Sequence, residues 1–231
     1  MKKIILLGLL AVLLLALSAC AAEMETQSLP PATETTAQPS LTSAPTPDPT
    51  PEPTPEPTPE PAENVALLII DIQNEYFAEG SFPLYDSLEA LANAEIILGK
   101  FRASGLPVIH IQHNGGTGGN FMVENSWGWE IHENLTPLSG EAVISKRQPN
   151  SFAGTELENL LKERNITELV IVGMQTNVCV QATIQDADQR GFAMTLLEDA
   201  CAALNPGTHE KTIDELREFA AVIKTGEYQM P

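Results

Sequence analysis

Three side chains suited to nucleophilic and proton-transfer chemistry stand at or just beyond the ends of apolar runs. Asp71 closes Val65-Ala66-Leu67-Leu68-Ile69-Ile70, Lys146 follows Ala142-Val143-Ile144, and Cys179 comes shortly after Leu169-Val170-Ile171-Val172-Gly173. A thiol attacks a carbonyl carbon only after giving up its proton, so it needs an acceptor and compensating positive charge. A carboxylate set between a thiol and an ammonium supplies both and can move the proton either way. The segment Met174 to Val180 places the thiol over the start of a helix. The partial positive charge there lowers a thiol pKa, and backbone N–H groups at that end can receive an oxyanion. The expectation is therefore a sulfur ionised at rest. Taken singly, each residue has a plainer reading: a small buried hydrophobe for Cys179, a helix cap or strand-end hydrogen bond for Asp71, a solvated charge for Lys146. Their common placement is what carries the argument.

That placement follows from the elements. Continuous apolar runs such as Val65 to Ile70 suit strands buried on both faces. Leu84, Leu88, Leu91, Ala92, Ala94 and Ile97 recur at helical spacing, and Ser104-Gly105 and Pro107 stop that helix. Val108 to His113 reads as a second strand and Ala142-Val143-Ile144 as a third. A helix is marked by Leu157, Leu160 and Leu161, and Leu169 to Gly173 is a fourth strand. Thr176 is expected to cap a helix running to Arg190, Phe192 to Leu197 to form a fifth strand, Thr208 to cap a helix through Phe219, and Ala221-Val222-Ile223 to form a sixth strand. Strands alternating with helices imply right-handed crossovers: an α/β, three-layer α-β-α fold with a mostly parallel six-stranded sheet. Ligands of such sheets bind beyond the carboxyl ends of the strands. Asp71, Gln112, His113 and Lys146 should therefore cluster at one edge, with Cys179 joining them.

Four pieces in this order resemble the isochorismatase-like cysteine hydrolases, the group that includes nicotinamidases and N-carbamoylsarcosine amidases. They are Asp71-Ile72-Gln73-Asn74-Glu75-Tyr76-Phe77, Lys146 in Ser145-Lys146-Arg147, Ser151-Phe152-Ala153-Gly154-Thr155, and Gly173-Met174-Gln175-Thr176-Asn177-Val178-Cys179-Val180. The resemblance runs from about residue 64 to 225. It implies Cys179 as nucleophile, Asp71 as general base and later acid, and Lys146 orienting Asp71 and favouring the thiolate. It also implies a cis peptide at Met174-Gln175 and an oxyanion hole from the amides of Gln175 and Cys179. Oligomers are usual in that group, so a homo-oligomer is expected. Nicotinamidases hold a metal through an Asp-x-His pair plus a further histidine. Here the region reads His110-Ile111-Gln112-His113-Asn114-Gly115, a poor zinc set. No metal and no cofactor are expected, although His113 with His132 is the one pair that could approach an ion.

The substrate pocket is expected from Gln73, Phe77, Gln112, His113, Trp129 and His132, with Phe121 to Pro137 as a wall that presents Trp127, Trp129 and His132 opposite Tyr76 and Phe77. The alternative is that Trp129, Ile131 and Leu135 simply pack a long loop or fill a subunit interface. Gly115 to Gly119 lacks a following Gly-Lys-Ser/Thr and is no phosphate loop. Cys201 follows the predicted fifth strand, without an obvious base, and reads as a structural thiol. The substrate class is a small amide, carbamoyl or lactam compound. A surface-tethered binding module of the same fold is the rival reading, and a Cys179/Cys201 redox pair is a distant third, since no Cys-x-x-Cys occurs.

The rest of the chain bears on location. Its 231 residues carry 31 acidic and 12 basic side chains, net −19; residues 62–231 alone carry 24 and 10. Such a balance disfavours nucleic-acid and anionic-lipid partners. Residues 1–19 combine Lys2-Lys3 with an apolar stretch too short to be a confident membrane span, and they read as a signal peptide. Leu17-Ser18-Ala19-Cys20 resembles the lipobox of bacterial lipoproteins, which implies cleavage before Cys20 and lipidation of its sulfur. Residues 20–61 form a Pro/Thr/Glu-rich tether; 12 of the 18 prolines lie in 21–61. Proline fixes φ and removes a donor, so polyproline II is expected, at about 3.1 Å per residue. The organisation is thus signal 1–19, tether 20–61 and hydrolase domain 62–231, in an envelope protein held at a membrane through lipid.

Overall fold

The computed structural model describes residues 64–231. The expected signal peptide, Cys20 and the tether lie outside the described residues. Six strands form one sheet: β1 (Val65–Ile70), β2 (Val108–His113), β3 (Ala142–Lys146), β4 (Glu168–Met174), β5 (Ala193–Ala202) and β6 (Ala221–Ile223). The order is β3-β2-β1-β4-β5-β6, and every pairing is parallel. Chain order reverses between β1 and β4, and the crevice above such a point is where open α/β sheets bind ligands.

Alternation along β1 assigns its side chains to the two faces. Val65, Leu67 and Ile69 pack on one side; Ala66, Leu68 and Ile70 pack on the other. The first face is covered by α1 (Ser87–Ala103) through Ala90, Leu91, Ala94, Ile97, Leu98 and Phe101, and by loop residues Met122 and Leu135. The second is covered by α2 (Leu157–Glu163), α3 (Gln181–Gln189) and α4 (Pro206–Leu216) through Leu157, Leu161, Ile184, Ala187, Ile213 and Leu216. Burying a Leu, Ile or Phe fully stabilises the fold by about 1.5–3 kcal/mol each, which makes these two apolar layers the main source of its stability.

Several boundaries differ from the sequence expectation. β5 continues past Leu197 to Ala202, so Cys201 lies inside a strand, opposite Gly173. Glu198 and Asp199 interrupt the apolar pattern that would have signalled this. Thr176 does not cap a helix. The chain first makes one wide turn, Thr176–Val180, with the Val180 N–H reaching back five residues to the Gln175 carbonyl, and only then enters α3. Asn205, not Thr208, caps α4: its side chain accepts from the Thr208 N–H at 2.9 Å, with Pro206 at the first helical position. In α1, Leu88 is 68 % exposed and Ala92 is exposed, although both share the helical spacing.

Candidate active site

Backbone geometry at the switch point aims the reactive groups. Asp71 leaves β1 with φ +52, a left-handed turn that ends the strand. In β4, Gly173 has φ +147, and a Cβ there would stand 2.2 Å from the Ile70 carbonyl oxygen, so only glycine lets the two strands run this close. The cis peptide expected at Met174-Gln175 is present and leads into the wide turn that carries Cys179. Ser151 is fully buried and receives a hydrogen bond from Thr183 Oγ1 on α3 at 2.9 Å. Its own N–H donates back to that Oγ1 at 3.1 Å. The Ser151-to-Thr155 motif is therefore a clamp on the helix that follows the cysteine.

Asp71, Lys146 and Cys179 converge. Lys146 Nζ lies 2.6 Å from Asp71 Oδ2, and both side chains are completely buried. The ammonium also donates to the Gln148 carbonyl at 3.1 Å and faces His113 Nδ1 at 3.4 Å. Ligand atoms of Asp71, His113 and Cys179 lie within 4.8 Å of one another. The contact between Lys146 and Asp71 is an ion pair rather than an aligned hydrogen bond, so both carboxylate oxygens keep accepting capacity. Burial raises the Asp71 carboxyl above its ordinary value, against the opposing pull of the Lys146 ammonium and the Cys179 thiol.

The sulfur corrects the expectation of a resting thiolate. Burial, and then the Asp71 charge, push the Cys179 thiol up to about 12, outweighing Lys146. The sulfur is a thiol at neutral pH, with Asp71 as the carboxylate placed to take its proton. His113 is also held neutral. Burial and the neighbouring ammonium hold its ring down to about 4, and its Nδ1 faces Lys146.

The structure sorts the expected pocket residues differently. Gln73 has no exposed surface and is spent on the backbone. Its amide nitrogen donates to the carbonyls of His113 (2.9 Å) and Trp129 (2.6 Å), and its Oε1 accepts from the His113 N–H at 2.8 Å. Gln112 donates to the same Trp129 carbonyl at 2.9 Å. Both glutamines fasten the 114–141 loop, and Gln73, with both side-chain polar atoms engaged, is not left to meet a substrate. Phe77 is a core residue whose ring lies 4.4 Å from that of His132. His132 in turn accepts from the Asn134 N–H and caps the turn Glu133–Leu135. It takes no part in the Asp71/His113/Cys179 group. Trp129 is half-buried, and its indole N–H is buried without a partner. Tyr76, expected opposite the pocket wall beside Phe77, lies close enough to Asp71, Cys179 and Gln175 for their charges and contacts to act on its phenol, which burial holds far above its usual range. Its place in the Asp71-to-Phe77 motif was the signal for it.

All four histidines of the chain are held below their ordinary value, burial being the first cause in each: His110, His113, His132 and His209. Such rings stay neutral in the fold and take a proton once unfolded. The stability they confer is present above about pH 6.5 and lost as pH falls below it. For a fully buried ring such as His110 the loss approaches about 1.4 kcal/mol per pH unit; partly exposed His132 and His209 contribute less. The urea midpoint is expected to fall continuously between about pH 6.5 and pH 4.5. A flat midpoint over that window would contradict the assignment of neutral rings.

An isochorismatase domain profile matches residues 65–227. The chain is 42 % identical over 149 residues to the uncharacterised isochorismatase family protein YddQ of Bacillus subtilis, covering 64 % of this chain and 83 % of that one. It is 27 % identical over 195 residues to the ureidoacrylate amidohydrolase RutB of Agrobacterium fabrum, covering 69 % and 86 %. The crystal structure of N-carbamoylsarcosine amidase from Thermoplasma acidophilum superposes with a TM-score of 0.65 at 25 % identity, covering 72 % of this chain and 99 % of that one.

Proposed function

The chain belongs to the isochorismatase family of hydrolases, and from that premise we propose that it cleaves a C–N bond of a small amide, carbamoyl or lactam compound, with Cys179 as the nucleophile. The observation that carries the reading is the completely buried Lys146–Asp71 pair at 2.6 Å, packed against the Cys179 thiol. Relatives named as an amidohydrolase and an amidase act on bonds of this kind.

In the proposed reaction the thiol stays protonated until substrate arrives. As sulfur attacks the carbonyl carbon, its proton passes to Asp71, and negative charge develops on the carbonyl oxygen. The backbone amides of Gln175 and Cys179 are assigned to that oxygen. Collapse breaks the C–N bond, and Asp71 returns the proton to the departing nitrogen. A water then gives up a proton to Asp71 and attacks the thioester, releasing acid and thiol. Lys146 keeps Asp71 ionised between these transfers.

A panel of amides, carbamoyl amino acids and lactams, offered to the chain and to its Cys179→Ala variant, tests the reaction class. Turnover confined to the parent supports the reading. No turnover on any of the three classes would sink it in favour of a binding module.

The N-terminal sequence extends the proposal to location: Cys20 carries lipid and residues 20–61 space the domain from a bacterial membrane. Cys20→Ser is expected to move the protein out of the membrane fraction. Unchanged membrane retention of this variant would contradict lipidation at that residue.

A further inference from the structure

Thr176 opens the turn that carries Cys179, yet its side chain is spent elsewhere. No side chain caps Thr176–Val180 at its start. The Thr176 hydroxyl instead meets Nδ1 of His209, 33 residues further along the chain, at 2.9 Å. Thr176 has no exposed surface, and His209 is half-buried. Either tautomer of the ring sustains the bond, because a hydroxyl donates to a bare nitrogen and accepts from an N–H. Shielded from water, such a bond is electrostatically stronger than an exposed one. Of the β5 carboxylates lining the cleft beside His209, Glu198 is held by Arg217 and Asp199 by Thr225, which leaves Thr176 as the firm partner of the ring.

The two ends of this bond differ in kind. On one side is the wide turn itself. The N–H groups of Val178 and Val180 both reach the Gln175 carbonyl, at 3.1 and 3.2 Å, and the Gln181 N–H reaches the Thr176 carbonyl. Single wide turns of this kind are frequent at functional sites. The orientation of this one decides where the Cys179 sulfur and the amides of Gln175 and Cys179 stand. On the other side is α4, which is anchored along its length. Asn205 caps its start, Thr212 donates to the Thr208 carbonyl at 2.8 Å, and Ile213 and Leu216 pack on the sheet. At its end Arg217 donates to Glu198 at 3.0 Å and to the Val222 carbonyl at 3.3 Å. A second bond crosses from α4, Gln181 Nε2 to Glu215 at 3.1 Å, but it is exposed. His209 supplies the shielded link between a fixed helix and the turn that bears the nucleophile.

We propose that His209 is a positioning residue for the Cys179 reaction: through Thr176 it ties the nucleophile turn to α4 and holds the sulfur and the two oxyanion amides in place. The inference rests on the reading of Cys179 as nucleophile. His209 acts through Thr176 and not on the reacting atoms. Misplacing a reacting group by about 1 Å costs about 10²-fold in rate, so loss of the tether should fall on kcat and leave KM nearly alone.

Hydrogen exchange of the full chain reads the tether without any substrate. In His209→Ala the amides of Thr176–Val180 should exchange about tenfold faster, while those of β1 and β2 keep the parental rate and so report an intact fold. On any substrate from the panel, His209→Ala should lower kcat by about 10–100-fold, with KM within about threefold of the parent. Thr176→Val should match it, and the double variant should be no slower than either single one, since both remove the same bond. His209→Asn, which puts an amide near the place of Nδ1, should recover part of the loss. Glu215→Ala removes only the exposed link and should keep the parental kcat. Unchanged exchange in the turn would overturn the proposal. So would a parental kcat in folded His209→Ala, losses that multiply in the double variant, or a rise in KM alone. If the parent turns over nothing, the reading of Cys179 as nucleophile fails, and the exchange rates alone decide whether His209 holds the turn.

Discussion

Replacing Cys179 by alanine should abolish turnover on any substrate the parent accepts, by about 10⁴-fold or more, while leaving the fold intact. The other described cysteine cannot substitute. Cys201 is buried within β5, and burial pushes its thiol up to about 12 as well. Stability should change by less than about 1.5 kcal/mol, because one small buried atom is lost and neither Asp71 nor Lys146 loses its charged partner. Activity on the substrate panel and a urea melt, run side by side, check both halves. Serine at the same position keeps a proton to donate but is a weaker nucleophile, and it should recover little of the rate. Because the sulfur is a thiol at rest, iodoacetamide should label it slowly near neutral pH even in a competent enzyme. Slow labelling therefore does not separate an enzyme from a binding module, and turnover does.

Lys146→Met should damage both stability and rate. The buried Asp71 carboxylate would lose the ammonium at 2.6 Å that compensates it, and breaking one side of a buried pair costs about 3–5 kcal/mol. The sign of the pH effect follows from the causes. Burial already raises the Asp71 carboxyl, and the ammonium is what opposes it. Without the ammonium the carboxyl rises further, so at neutral pH less of it is ionised and able to accept the thiol proton. The rate should fall by about 10²–10⁴-fold, and the acid limb of the pH–rate profile should move to higher pH. A variant with parental stability and an unmoved acid limb would show that Lys146 neither holds nor charges Asp71. Asp71→Asn should also lose the rate but should cost less stability, since Lys146 keeps the Gln148 carbonyl and His113.

What the sequence disclosed depended on the range of the interactions involved. β1 and the centre of β4 announce themselves because a strand buried on both faces is apolar throughout, whereas β2 carries His110, Gln112 and His113; the rule for parallel sheets then places Asp71, Lys146 and Cys179 at one edge. The state of the sulfur was not legible: a helix start and a lysine argue for a thiolate, and only the burial of Cys179 and the nearness of Asp71 reverse the sign. Gln73 and Gln112 look like binding residues in sequence because they are polar groups at strand ends. Their partners lie 17 to 56 residues away along the chain, and no local pattern reveals such bonds. In α1 the apolar spacing is compatible with two faces, and the sequence does not say which of them meets the sheet.

The claim on which the reading rests is a covalent intermediate on one sulfur. Rapid quenching of a turning-over sample in acid, followed by digestion and mass spectrometry, tests it directly. The peptide containing Cys179 should carry the acyl half of the substrate as a thioester during turnover and lose it once substrate is spent. Sustained turnover with that peptide unmodified, or with the acyl group on Cys201, would contradict the account.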